Sequence, residues 1–485
     1  KRKLDVLQFT VEKLRAAAAK AAAEDVVEAV AAGAGEPPHI DKSTFCKVAG
    51  RLCVVGHSTM YHVTVAEVER RTSEPECLTR SNIGTLLKRG KIGGCSDTLA
   101  LLLAEKGLES NVHKKKKLKV NTLSALLEGE SIQLATDHRA LIETHLRELQ
   151  LARLLIRTGA TPVELMATLH DAECAMSIAA ELETLASEWC EGGIDVTSSP
   201  ISFLQSFSLT SHGFGPEEFR TFAAFFHRFV AALEGECSNT IEEAGAQVLL
   251  GDTLPSTLLP ELHYFLSKEI QAALQLQQRQ GRTANFGDAP ARLTLEHIKY
   301  NISVAEVQRR IATPESLNTS ILVSQMRRGK TANSNGALRG EFAKHGIVVN
   351  SGKRKTERVT SFTAMLEKES LVLAADMREC ISLFFPTEDA AAALIANVDC
   401  KPMSEEMEAR IAQFEATSRL CTSLSRLFLT LRLPIADRLP PVLSPHAHIV
   451  YNYSAVTHGF GPDECVNWLD AFGRVCDAAK EKLTL

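Results

Sequence analysis

The stretch Val63–Lys91 reads V-T-V-A-E-V-E-R-R, then P-E-C-L after three residues, then L-L-K-R-G-K. Without insertion or deletion, Ile302–Lys330 repeats it as I-S-V-A-E-V-Q-R-R, P-E-S-L and Q-M-R-R-G-K. Further along each copy, S-H-G-F-G-P at Ser211–Pro216 matches T-H-G-F-G-P at Thr457–Pro462. A repeat unit longer than about 50 residues indicates a duplicated domain rather than a solenoid. The chain is therefore predicted to contain two copies of one domain.

Composition and periodicity predict a mainly α protein with few short strands. Of the 485 residues 45% are hydrophobic but only 6% are aromatic, which fits helical packing rich in Leu, Ala and Glu better than a β-sandwich. Apolar residues recur at helical spacing in the second half of each copy. The predicted helices there are Ala140–Arg157, Pro162–Cys190 and Met403–Leu433, with closing helices at Glu217–Leu233 and Asp463–Lys482.

Changes in composition predict four segments along the chain. Stretches containing Gly, Ser and Pro near 238–255 and 281–290 mark the boundary between the copies. The predicted segments are an N-terminal helical extension (1–42), a first domain (43–237), a linker with a helix (238–284) and a second domain (285–485).

The start of each copy carries a helix-initiation pattern. Thr64 and Ser303 each stand three residues before a glutamate, Glu67 or Glu306, which is the arrangement of a capping box. A short helix is expected to follow and to finish at the Arg-Arg pair, because cations suit the negative end of a helix.

Basic residues concentrate in the first half of each copy. The whole chain has a formal net charge of −5. Residues 62–119 nevertheless hold 12 Lys or Arg against 7 Asp or Glu, and residues 297–358 hold 12 against 4. Two basic blocks at matching positions of a repeat favour a polyanion-binding face over an ordinary solvated surface.

Several functional classes lack their sequence signatures. No apolar run reaches the ~18 residues of a membrane span, and the opening Lys1-Arg2-Lys3 is not followed by the apolar core of a signal peptide. The twelve cysteines form no C-x-x-C pair, which favours reduced thiols and no metal. The H-G-F-G turn has no accompanying G-x-S-x-G, and neither a Walker loop nor H-E-x-x-H occurs, so neither an enzyme nor a cofactor is predicted.

Taken together, these motifs resemble the activating enhancer-binding protein 2 family of animal transcription factors, the helix-span-helix class. Copy 1 carries F-C with G-R-L at 45–52, V-T-V-A-E-V-E-R-R at 63–71, P-E-C-L at 75–78, E-G-E at 128–130 and S-H-G-F-G at 211–215. Copy 2 carries V-A-E-V-Q-R-R at 304–310, P-E at 314–315, L-N at 317–318, R-R-G-K at 327–330 and H-G-F-G at 458–461.

The resemblance implies tandem helix-span-helix domains, each with a basic DNA-binding half and a helical dimerisation half. It implies a nuclear transcription factor whose partner is GC-rich double-stranded DNA of the form GCC-NNN-GGC, with no membrane and no small-molecule substrate. The positions that match the family's basic words are predicted DNA contacts. They are Arg70, Arg71, Lys88, Arg89, Lys91, Lys114, Lys115 and Lys116 in copy 1, and Arg309, Arg310, Arg327, Arg328, Lys330, Asn333, Arg339, Lys353, Arg354 and Lys355 in copy 2.

The two copies depart unequally from the family pattern. Where the family has N-G-G-R-x-L-R, copy 1 has Gly94–Ala100, which includes Asp97 and neither arginine, whereas copy 2 keeps Asn333 and Arg339. Copy 2 is therefore expected to be the better reader of bases. Two copies in one chain predict self-association, either as an intrachain pseudo-dimer or as a homodimer. The alternative function is a helical protein–protein scaffold that has kept the fold and lost specific DNA binding.

Overall fold

In a computed structural model of the chain, the two copies have the same order of elements. The structure describes residues 44–54, 59–87, 96–108, 120–157, 161–190, 204–249, 285–326, 334–345, 359–396, 404–431 and 447–484. Repeat 1 comprises β1 (Thr44–Ala49), β2 (Met60–Thr64), α1 (Val65–Thr72), α2 (Arg80–Leu87), α3 (Ser96–Glu105), a 3-10 turn (Leu123–Ala125), α4 (Glu128–His145), α5 (Glu148–Arg157), α6 (Pro162–Cys190), α7 (Gln205–Ser211) and α8 (Phe214–Leu249).

Repeat 2 follows the same plan throughout. It comprises β3 (Asn285–Pro290), β4 (Lys299–Ser303), α9 (Val304–Ile311), α10 (Thr319–Gln325), α11 (Ser334–Lys344), a 3-10 turn (Phe362–Ala364), α12 (Glu367–Phe384), α13 (Thr387–Ile395), α14 (Glu405–Leu431), α15 (Ala447–Val456) and α16 (Phe460–Thr484). The mainly α fold with few short strands is confirmed. The predicted N-terminal extension and the linker helix after 249 lie outside the described residues.

Each repeat opens with a two-stranded antiparallel hairpin that leads directly into a helix. Both hairpins carry a bulge at the same place, after Thr44 in one and after Asn285 in the other. Thr64 Oγ1 accepts the Glu67 N–H at 3.0 Å, and Ser303 Oγ accepts the Glu306 N–H at 3.0 Å. The predicted caps are thus present. The glutamates, however, turn inward toward other partners rather than back to the cap.

The long helices match the predicted ranges to within a few residues at each end, apart from two larger differences. The predicted helix Pro162–Cys190 is confirmed residue for residue as α6. The predicted helix Ala140–Arg157 is wrong in detail, because the helix is interrupted between α4 and α5, where Leu146 is buried in an extended conformation. The closing helix α8 continues to Leu249, past the predicted end at Leu233.

The helical halves of the two repeats pack against each other. Helix α6 of repeat 1 lies along α14 of repeat 2, α4 contacts α15, and α7 contacts α12. One hydrophobic cluster therefore runs through both repeats. At its centre Trp468 stacks on Phe219 of the other repeat, with ring centroids 5.6 Å apart and planes 20° apart. Aromatic pairs of this kind add to the stabilisation from apolar burial.

Two arginines also cross between the repeats near the hairpins. Arg51 donates to the carbonyl of Thr294 at 2.9 Å, and Arg292 donates to the carbonyls of Arg51 and Cys53 at 2.9 and 2.7 Å. Both side chains are buried. Because a guanidinium carries five N–H donors, each arginine can satisfy several carbonyls of the opposite repeat at once.

Among the described residues, none of the helices combines the length and apolar character that crossing a membrane requires. Nor do the described His, Cys, Asp and Glu side chains form a group of three or more that could hold a metal ion.

The second glycine of the H-G-F-G turn gives room to an aromatic ring. A Cβ added to Gly461 would lie 2.4 Å from the ring of Tyr453, whereas one added to Gly473 in the same helix would meet only Ser418 Oγ at 3.8 Å. We predict that Gly461→Ala lowers the free energy of unfolding by about 1–3 kcal/mol through overpacking. Gly473→Ala should be neutral or stabilising by up to about 1 kcal/mol, because alanine favours the helix. Urea unfolding of both variants checks this, and equal stabilities would contradict it.

Candidate nucleic-acid interface

In repeat 1, the second arginine of the pair gathers three distant segments. Arg71 Nη1 donates to His212 Nε2 at 2.8 Å, and its Nη2 donates to the carbonyl of Leu126 and to Glu67 Oε1, the latter at 3.3 Å. Glu76 Oε2 lies 3.8 Å from the same guanidinium. Arg71 is only 1% exposed. The arginine therefore joins α1, the P-E-C-L turn, the 3-10 turn and the H-G-F-G turn.

Repeat 2 reproduces this cluster. Arg310 Nη1 donates to His458 Nε2 at 3.0 Å and Nη2 donates to Glu306 Oε1 at 2.9 Å. Glu315 Oε1 lies 3.0 Å from His458 Nε2, and the carbonyl of Met365 accepts from Arg310. Motifs that the two copies share thus lie close together in the fold, around one buried guanidinium in each repeat. We call each of these a buried arginine cluster.

The first arginine of each pair fixes the start of the following long helix. Arg70 binds both carboxylate oxygens of Glu128, at 2.8 and 2.6 Å. Arg309 binds Glu367 in the same bidentate way, at 2.7 and 2.6 Å. Such fork-to-fork pairs combine strength with a fixed geometry. They hold α1 and α9 against the first residue of α4 and α12.

Burial perturbs the titratable groups of both clusters. Burial, and then the neighbouring arginine, lower the pKa of His212 and of His458 below the ordinary value. The imidazoles are therefore neutral, with Nε2 accepting from the arginine. Burial, and then Glu128, raise the pKa of Glu67 to about 7. In repeat 2, burial and then Glu306 raise the pKa of Glu367 to about 8.

The predicted DNA contacts therefore fall into three groups. Arg70, Arg71, Arg309 and Arg310 are engaged inside the repeats, so a direct contact from Arg71 or Arg310 would require the clusters to open. Arg339 is exposed on α11. The other predicted contacts lie outside the described residues: Lys88, Arg89, Lys91, Lys114, Lys115, Lys116, Arg327, Arg328, Lys330, Asn333, Lys353, Arg354 and Lys355.

The described elements show which parts of the fold adjoin the basic segments in the sequence. Helices α2 and α10 finish at Leu87 and Gln325, directly before the first basic clusters. The second clusters precede the two 3-10 turns, which belong to the buried arginine clusters through the carbonyls of Leu126 and Met365. The second basic segment of each repeat is thus followed in the sequence by a 3-10 turn that a buried arginine holds in place.

Helices α3 and α11 differ in charge although they occupy equivalent places. In α11 the described side chains of Arg339 and Lys344 are exposed. The sequence of α3 has Asp97 and Glu105 and neither Lys nor Arg. The first half of repeat 2 is therefore the more cationic one.

Sequence reasoning missed the acidic and histidine partners of the arginines. Glu76, Glu128 and His212 stand, like the arginines, in motifs that recur in copy 2. The i, i+4 spacing of Glu67 and Arg71 is that of an intrahelical ion pair. That acids recur together with the arginines was the available indication that these cations have internal partners.

The fold consists of two tandem, mainly helical repeats. In each repeat a basic segment of the sequence directly precedes a 3-10 turn that the buried arginine cluster holds. The family model described as "Transcription factor AP-2" matches residues 45–233 and 286–479, one match per repeat. The chain therefore belongs to the Transcription factor AP-2 family. This is a family of transcription factors and not of enzymes, so the prediction that the chain is not an enzyme is confirmed.

Individual relatives match over one repeat length. Transcription factor AP-2-epsilon of Xenopus laevis is 34% identical over 193 residues, which is 39% of this chain and 43% of that protein. Transcription factor AP-2 gamma of Homo sapiens is 36% identical over 186 residues, or 37% of this chain and 40% of that protein. The chain thus spans less than half the length of these curated relatives.

We predict that Arg310→Ala lowers the free energy of unfolding by about 3–5 kcal/mol, because it leaves Glu306 and Glu315 buried without their cation. Arg339→Ala removes the same charge from an exposed position and should change stability by less than about 0.5 kcal/mol. Chemical denaturation of both variants tests the difference. A small effect of Arg310→Ala would contradict a structural role for the buried arginine clusters.

A pH prediction follows from the lowered pKa of His458. Below about pH 6.5 the unfolded chain protonates this imidazole while the fold keeps it neutral, so its contribution to stability falls as pH falls. His458→Gln offers a side-chain oxygen to Arg310 and does not titrate. The stability of wild type relative to this variant should be constant above pH 7.5. It should decline toward pH 5 by up to about 1.4 kcal/mol per pH unit. A flat difference between pH 8 and 5 would contradict the prediction.

Proposed function

We propose that the chain is a sequence-specific, double-stranded DNA-binding transcription factor that acts in the nucleus and recognises a GC-rich palindrome of the GCC-NNN-GGC type. The observation that carries this proposal is that, in both repeats, a basic segment directly precedes a 3-10 turn held by a buried arginine cluster. Membership of the Transcription factor AP-2 family supports it. Ordered elements on both sides of each basic segment fix where its ends lie, and preorganisation of this kind favours affinity.

We further propose that one chain occupies both halves of the palindrome as an intrachain pseudo-dimer. Support comes from the packing of α6 on α14, α4 on α15 and α7 on α12, which joins the helical halves of the two repeats. The reciprocal crossing of Arg51 and Arg292 adds a second junction close to the hairpins. Covalent tethering gives the second half-site contact an effective concentration of about mM for a short linker.

The two half-sites are proposed to be read unequally. Arg339, which the resemblance assigns to base reading, is exposed on α11, and arginine binds guanine through a bidentate pair. The equivalent helix α3 offers acids instead. Repeat 2 therefore reads bases, while repeat 1 contributes phosphate contacts through Lys88, Arg89, Lys91 and Lys114–Lys116.

A helical protein–protein scaffold is the second candidate, and one observation favours it. The Arg-Arg pairs, which the resemblance assigns to DNA contacts, have internal partners in both repeats. Their retention is explained by the fold alone. DNA binding must therefore be tested on cations outside the buried arginine clusters.

We predict that the chain binds a GCC-NNN-GGC duplex more tightly than a scrambled duplex and saturates at one chain per duplex in fluorescence anisotropy. Arg327→Ala with Arg328→Ala should weaken binding at least tenfold and reduce the slope of log K against log salt by up to about 2. The matched control is Arg228→Ala with Arg426→Ala, which removes two exposed arginines from α8 and α14 and should leave binding unchanged. Equal, weak binding to both duplexes would favour the scaffold.

A further inference from the structure

A hydrogen-bonded histidine links the two repeats at the centre of their interface. His138 of α4 places Nε2 2.7 Å from the hydroxyl of Tyr453 in repeat 2, and Nδ1 2.7 Å from Glu218 Oε2 in its own repeat. All three side chains are fully buried. Burial lowers the pKa of His138 to about 3, so the ring is neutral. In a neutral imidazole one ring nitrogen donates and the other accepts, so Tyr453 and Glu218 take the two complementary roles.

The equivalent positions on the other side of the interface are apolar. In the alignment of the repeats, His138 corresponds to Met377, and Tyr453 corresponds to Phe207. Helix α7, which holds Phe207, packs on α12, which holds Met377, just as α15 packs on α4. At these two equivalent positions the interface thus has polar residues on one side and apolar residues on the other.

The buried His138 and Tyr453 side chains bond to each other only when repeat 1 packs against repeat 2. Two copies of repeat 1 would place His138 opposite Phe207 and leave a buried nitrogen without an acceptor or donor. Two copies of repeat 2 would place Tyr453 opposite Met377. Its hydroxyl would then keep only Cys465, a weak thiol partner in its own repeat. Buried polar groups that lose their partners are costly.

Charge on the longest contact between the repeats also favours pairing of repeat 1 with repeat 2 over pairing of repeat 1 with a second repeat 1. Helix α6 contains six acidic residues and neither Lys nor Arg. Helix α14 supplies the cations: Arg410 Nη1 lies 2.8 Å from Glu181 Oε1, and Arg419 Nη2 lies 2.7 Å from Asp171 Oδ1. Packing α6 against a second α6 would bring together carboxylates without their cations, and such like-charge contacts suppress wrong partners.

Two sets of contacts across the interface do not discriminate. Asp376 accepts from the N–H and hydroxyl of Thr122, and Asp137 accepts in the same way from Ser361. These two sets are equivalent under the repeat, since each joins a helix of one copy to the 3-10 turn of the other. Every pairing of the repeats would preserve them, so they provide affinity without selectivity.

We propose that the two repeats have diverged into complementary surfaces that are not interchangeable, so that repeat 1 binds repeat 2 and not a second repeat 1. The inference rests on the pseudo-dimer of the proposed function but not on DNA binding. It therefore survives if the chain binds no DNA, and it fails without affecting DNA binding if the repeats pair at random.

Pairing can be scored on the folded chain after cutting between the repeats. A protease site is introduced into 250–284, the full chain is purified and cleaved, and the fragments are unfolded in urea, refolded together and counted by native mass spectrometry. We expect more than about 90% of the pairs to join repeat 1 with repeat 2, against about half for random pairing, a preference of order tenfold or more. A statistical mixture from the wild-type chain would overturn the proposal.

Two sets of substitutions separate selectivity from affinity. His138→Met with Tyr453→Phe and Arg410→Ala with Arg419→Ala remove the discriminating contacts and should shift the pairs toward the statistical mixture. Thr122→Val with Ser361→Ala removes the equivalent contacts and should weaken all pairs while keeping the preference. If this control lost selectivity as strongly as the first set, the assignment would be wrong.

The intact chain gives a second measurement that needs no refolding of fragments. His138→Met and Tyr453→Phe are made singly and together, and unfolding is followed in urea. Each single change should raise the unfolding equilibrium constant at least tenfold, because Tyr453→Phe leaves His138 Nε2 without its partner and His138→Met leaves both Tyr453 and Glu218 without theirs. The double variant should be less destabilised than the product of the two single losses predicts, since the unpaired nitrogen and the unpaired hydroxyl are both removed, and the remaining loss is that of Glu218. Losses that simply multiply would show no coupling and overturn the proposal.

Discussion

The neutralisation of one buried guanidinium in each repeat is the constraint on which the rest of the structure depends. Arg71 and Arg310 each lie among carboxylates, a histidine and a backbone carbonyl that come from four separate segments. A buried charge without such partners is strongly destabilising. The four segments must therefore pack together. Three of the repeated motifs, V-A-E-V, P-E and H-G-F-G, supply the side chains around the arginine, and the residue after the 3-10 turn supplies the carbonyl.

These clusters determine how the other elements are arranged around them. The bidentate pairs of Arg70 with Glu128 and of Arg309 with Glu367 seat the short helices on the long ones. The long helices then carry the apolar surfaces that join the repeats around Trp468. The hairpins are fixed from the other side by Arg51 and Arg292. Polar contacts thus define where elements meet, and apolar burial provides most of the favourable free energy.

Much of this fold could be predicted from the sequence because its periodic parts are local. The cap residues Thr64 and Ser303 and the range of α6 depend on neighbours a few positions away. The role of Arg71 did not follow, because a basic pair at a helix end fits a solvated, DNA-facing or buried position equally well. The bond from His138 to Tyr453 joins residues 315 positions apart, and neither residue has a motif around it. Only the three-dimensional packing reveals such a pair.

Tandem duplication also changes what an interface between copies must satisfy. In a homodimer with twofold symmetry, each surface meets itself, so a polar residue facing an apolar one recurs twice. In a single chain, His138 contacts Tyr453, which is the equivalent of Phe207 in the other repeat, and never contacts Phe207 itself. Histidine with tyrosine on one side and methionine with phenylalanine on the other can therefore coexist. The same freedom applies to α3 and α11, which carry opposite net charges. In a symmetric pair both of these helices would have to carry the same charge. Asymmetry at the helical interface and asymmetry in the basic halves then have one origin, the covalent link between the repeats.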